Sequence, residues 1–191
     1  MDLTTQATES HLRSTKVALD ALVTVLSALL WAGPSGNEPA FKRVELFTDL
    51  DLPEAFKRLL LSESRICLVI YSSDAFETQR ADRQLIIRRK QELYVVFTDR
   101  VMSKRIEALV GSGPDGPTSN PGLLALRDLV LPAITGLLVP QPAGIVCVPT
   151  RGSLLQVADT SAKLPGRLAF LLEIELQGGW LKADIGKSPV W

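Results

Sequence analysis

Residues able to do chemistry are few in this chain of 191 residues, and none stands at a spacing that catalysis uses. Histidine occurs once, as His11, and cysteine twice, as Cys67 and Cys147. That supply cannot build a four-cysteine or a two-cysteine, two-histidine zinc site, and any histidine-based triad would depend on one residue in a polar N-terminal stretch. Gly111 to Gly116 has the span of a phosphate loop, but Pro117 stands where the lysine belongs. Gly186-Lys187-Ser188 matches the end of a Walker A motif, yet Leu181 occupies the place of its first glycine. Ser153, in RGSLLQV, lacks the glycine pattern of a nucleophile elbow and has no histidine downstream. Glu173 and Glu175 alternate along an apolar run and so share a strand face. With no third acid or lysine at metal-site spacing, they read as a solvated face or as a contact for a partner's cations. A metal-dependent nuclease would need an acid two residues before a hairpin lysine, and Arg88-Arg89-Lys90 offers none. The expectation is a protein that is not an enzyme, with no catalytic residue, no cofactor and no metal.

The elements that would position these residues follow from the apolar pattern. Ser14 or Thr15 can cap a helix through Trp31, in which Leu19, Leu22, Val23, Leu26, Leu29 and Leu30 recur at helical spacing, and Gly33 to Asn37 stops it. A strand is expected over 42–47 and a short helix over 54–61, with Pro53 suited to its first turn. Arg65 to Tyr71 is a β-branched, unbroken apolar run, which predicts a central strand covered on both faces. A polar loop over 72–81 leads into QLIIRRKQELYVVFTD, read as two strands or one long bent one because residues 93–97 are a β-type cluster. A helix over 100–110 ends at GSGPDGPTSNPG, residues 111–122, read as a mobile loop. A second helix then runs to Ile134, kinked or ended near Pro132 and closed by Gly136. Strands are expected at 144–149, 153–157 and 167–177; in the last, Leu168, Phe170, Leu172, Ile174 and Leu176 form the core face. The predicted class is α+β, a mostly antiparallel sheet flanked by helices, in a single domain over 1–191 with polar ends at 1–14 and 178–191.

Composition narrows the partners. Hydrophobic residues make up 46% of the chain and charged residues 22%, enough apolar content for a core. The net charge is zero, so no global field draws the chain to nucleic acid or to an acidic membrane surface. The most apolar stretch, 17–32, is shorter than the roughly 20 residues of a spanning helix and is interrupted by Asp20, Thr24 and Ser27. No membrane partner and no sequence-specific nucleic-acid binding are expected. The N-terminus has no basic segment running into an apolar core, so no signal peptide is apparent, and the two cysteines, each inside an apolar run, read as buried free thiols in a reducing compartment.

Charge becomes informative once localised. Residues 80–105 carry eight basic and three acidic side chains, net +5, balanced by acidic stretches elsewhere. Arg83, Arg88, Arg89, Lys90 and Arg100 form a candidate basic surface, and Glu45, Asp49, Asp51 and Glu54 a candidate acidic one. Complementary patches on one chain suit head-to-tail assembly, each subunit offering one face to the other face of the next.

The ordered layout of KVALDALVTVLSALLWA, RICLVIY, QLIIRRKQELYVVFTDR, GLLALRDLVLPAITGL and GRLAFLLEIELQ resembles the tail terminator proteins of phages, most nearly the Mu-like tail completion family, over about Thr15 to Gln177. The resemblance implies a structural virion protein forming a ring, usually of six subunits. That ring would bind the last ring of the tail tube protein, stop polymerisation and present a surface to head or neck connector proteins. It would also touch the sheath in a contractile tail. The protein would then be assembled in the host cytoplasm and reside in the virion tail. Another head-to-tail connector or a baseplate adaptor is the alternative within the same class of particle.

Overall fold

The computed structural model describes residues 16–33, 36–47, 65–81, 84–99, 105–112, 120–139, 145–157 and 167–184. These form helices α1 (16–27), α2 (Arg105–Val110) and α3 (Gly122–Ile134). The strands are β1 (Leu30–Gly33), β2 (Gly36–Pro39), β3 (Arg43–Phe47), β4 (Ile66–Ala81), β5 (Gln84–Thr98), β6 (Leu138–Val139), β7 (Ile145–Val157) and β8 (Arg167–Asp184). The fold is α+β, as the apolar pattern predicts.

One six-stranded sheet, in the order β3-β4-β5-β8-β7-β6, organises the molecule. Only β3 and β4 are parallel; every other neighbouring pair is antiparallel. All three helices lie on one face, where Leu22 and Leu26 of α1, Leu109 of α2 and Leu126 and Val130 of α3 meet Val69, Val95 and Ile174 of the sheet. The opposite face buries Phe47, Ile66, Leu68, Ile70 and Val96. Residues 66–70 are therefore buried on both sides, which explains their unbroken apolar run. In β8, Leu168, Phe170, Leu172, Ile174 and Leu176 do form the core face, while Glu173 and Glu175 are half-buried on the other. Phe97 is the centre of the helix-side core, with Phe41 at 5.6 Å and Phe170 at 5.5 Å between ring centroids.

Several boundaries differ from the sequence reading. α1 ends at 27 rather than at Trp31: the Leu29 carbonyl accepts the Ala40 N–H at 2.7 Å, and Leu30 and Trp31 pair with Pro39 and Glu38 in a two-stranded hairpin. Leucine and tryptophan tolerate a helix, but the hairpin satisfies the same backbone groups and places Trp31 against Arg65. Residues 72–81 are not a loop; they continue β4, with one bulge between Tyr71 and Ser73. The run from Gln84 to Thr98 is one strand. Residues 145–157 form one strand rather than two, the irregularity between Pro149 and Arg151 being absorbed as a bulge. The polar C-terminal end is also paired as far as Asp184, so β8 extends seven residues past Gln177. β4 is interior, but the central pair is β5 and β8. α3 passes through Pro132 to Ile134, where the proline lies in the last turn and Leu131 still receives the Thr135 N–H at 2.9 Å. The expected helix over 54–61 lies outside the described residues, as do the polar N-terminal stretch 1–14 and residues 100–104 and 113–119 of the expected helix and loop.

Candidate functional site

The three longest strands divide the sheet into a base and an arm. The base is sealed by helices, and burial on that face persists outward to Gln91, 3% exposed, and Leu176, 1% exposed. Beyond that row β4, β5 and β8 run on together, through Ala75–Ala81, Gln84–Lys90 and Gln177–Asp184. Seven residues at about 3.3 Å each make this three-stranded arm roughly 23 Å long. Two antiparallel pairings along it keep the backbone hydrogen-bonded without help from a core, which is how so polar a sequence holds strand geometry.

Arg88 and Arg89 sit on the arm, opposite Glu77 and Phe76 on β4 and Trp180 and Gly178 on β8 in the backbone register. Lys90 is also there, and its charge is answered within the chain. Its Nζ lies 2.8 Å from a Glu77 oxygen and 3.4 Å from a Glu175 oxygen, a bridge across all three strands. The hydrogen bond that it donates to Glu77, followed by the charge of Glu175, holds the Lys90 ammonium above the ordinary lysine range. Lys90 thus fastens the root of the arm. The net +5 counted along residues 80–105 is accordingly reduced by folding, since acids from β4 and β8 stand beside this part of β5. Glu45 lies on the edge strand β3 and pairs with Arg43 two positions away on the same strand. Its register partner on β4 is Leu68, nine positions from Glu77, so the Glu45 and Arg88 rows are about 30 Å apart. Arg83, Arg100, Asp49, Asp51 and Glu54 lie outside the described residues.

Two polar clusters escape the sequence reading. Arg65 is 8% exposed; it donates from Nη2 to the Pro39 carbonyl at 3.2 Å, lies 3.5 Å from Glu38 and stacks 5.0 Å from the Trp31 ring centroid. This buried arginine clamps the β1-β2 hairpin to the start of β4. At the opposite end of β5 from the arm, buried Asn120 donates from Nδ2 to the buried Asp99 carboxylate. The Ser112 N–H and hydroxyl in turn donate to Asn120 Oδ1 at 3.2 and 3.3 Å. The ends of the glycine-rich segment are therefore pinned, and Ser112 and Asn120 form an isolated antiparallel bridge. The only sequence signals were an arginine abutting an apolar run and an asparagine before Pro121.

Cys67 and Cys147 are both buried free thiols on the helix side of the sheet. Burial pushes both thiols up, Cys147 to about 11 from 9.0 and Cys67 further. An aromatic disulfide reagent at pH 8 should label neither cysteine in the folded protein and both in denaturant, because the thiolate is the attacking form. The sign of the linked stability follows. Below pH 9 both folded and unfolded chains keep these protons, and as pH rises from 9 through 11 the unfolded chain releases a proton that folded Cys147 retains. Unfolding is then favoured, so the urea midpoint should fall across that interval and the fall should shrink in Cys147→Ala.

Among the described residues, no group of three or more histidine, cysteine, aspartate and glutamate side chains could hold a metal ion. No described helix is long and apolar enough to cross a membrane. No protein-family model and no curated protein matches the chain.

Proposed function

We propose that the protein is a non-enzymatic assembly subunit of a phage tail, forming a ring that caps the tail tube, ends tube polymerisation and offers a surface for head or neck attachment. Its partners are further copies of itself, in a ring of the hexameric kind, the tail tube protein, and connector or sheath proteins. The observation that carries the reading is the arm. A three-stranded extension about 23 Å long, bridged at its root by Lys90 and exposing Phe76, is suited to reaching another subunit. The Arg88 and Glu45 rows are separated by about 30 Å, well beyond the roughly 8–10 Å screening length of physiological salt, so a contact between these two rows can form only between copies, with Glu45 already paired to Arg43 in each.

Mass photometry and negative-stain imaging of the purified full chain, alone and with tail tubes, test this directly. Closed rings, in solution or on tube ends, are expected. A monomer that neither self-associates nor binds tubes at any protein concentration would overturn the reading. The double variant Arg88→Glu/Arg89→Glu should lose assembly, and thermal unfolding of the same variant, expected to move little, separates loss of assembly from loss of folding.

A further inference from the structure

We draw no further inference here: the strongest candidate, the outer edge of β7 beyond its short pairing with β6, where Leu154 is 46% exposed, carries none because nothing among the described residues shows what covers it.

Discussion

Phe97→Ala should lower the unfolding free energy by about 3–5 kcal/mol, the usual cost of emptying a fully buried aromatic site. Phe97 is completely buried, with Phe41 and Phe170 on either side at 5.6 and 5.5 Å, and it joins the segment before β3 to the β5-β8 pair. The cavity cannot close easily, because the two flanking rings are held by different parts of the chain and both backbone neighbours of β5 are hydrogen-bonded strands. For a chain of this size the melting temperature should fall by roughly 10 °C. Phe97→Leu, which keeps most of the volume, should lose about 1–2 kcal/mol. Thermal and urea unfolding of the two variants check this; equal, small losses would show that the three rings do not form the rigid centre of the core.

Gly122→Ala should cost about 2–5 kcal/mol, although it deletes no side chain. Gly122 opens α3 at a φ of +76°, where an L-residue costs about 1–2 kcal/mol. A methyl group there would lie 2.2 Å from the Gly111 nitrogen and 2.6 Å from the Val110 carbonyl carbon. Both are backbone atoms, so relief requires the end of α2 and the start of α3 to separate, with a further ~1–3 kcal/mol for overpacking. Gly111 meets the same crossing from the other side: its φ is +86°, and an added Cβ would lie 2.6 Å from the Pro121 oxygen. The separation would also pull Asn120 from Asp99, so hydrogen exchange should rise first at the amides of Ser112 and Asn120. An unchanged midpoint for Gly122→Ala would mean that the α2-α3 crossing yields readily. Gly136, which also has positive φ but open space around its Cβ position, is the control and should lose only the conformational part.

These core and crossing variants differ from the arm variants in what they disturb. Phe97 and Gly122 lie in the base, in the core and at the α2-α3 crossing, whereas Arg88 and Arg89 stand on the arm in the backbone register. Loss of assembly without loss of folding is therefore expected only from the second group, and that division separates an assembly surface from a merely fragile region.

The sequence alone determined the elements whose burial is written residue by residue. Residues 66–70 read as a doubly covered strand because each is apolar, and residues 168–176 read as a one-sided strand because they alternate. The two cysteines read as buried thiols for the same reason: transfer out of water is decided largely by the side chain itself. Lys90 was legible as charged but not as paired, since Glu77 and Glu175 come beside it only through two strand registers. Of the arm, only the β5 strand was legible, in the run from Gln84 to Thr98. Residues 72–81 and 178–184 are polar or glycine-containing and carry no burial pattern; they are strands because β5 lies between them and satisfies their backbone groups. The buried Arg65 and the Asp99–Asn120 pair likewise depend on partners from distant segments. Tertiary structure decided these features because hydrogen-bond pairing is a property of two segments brought together, whereas apolar burial is already present in one.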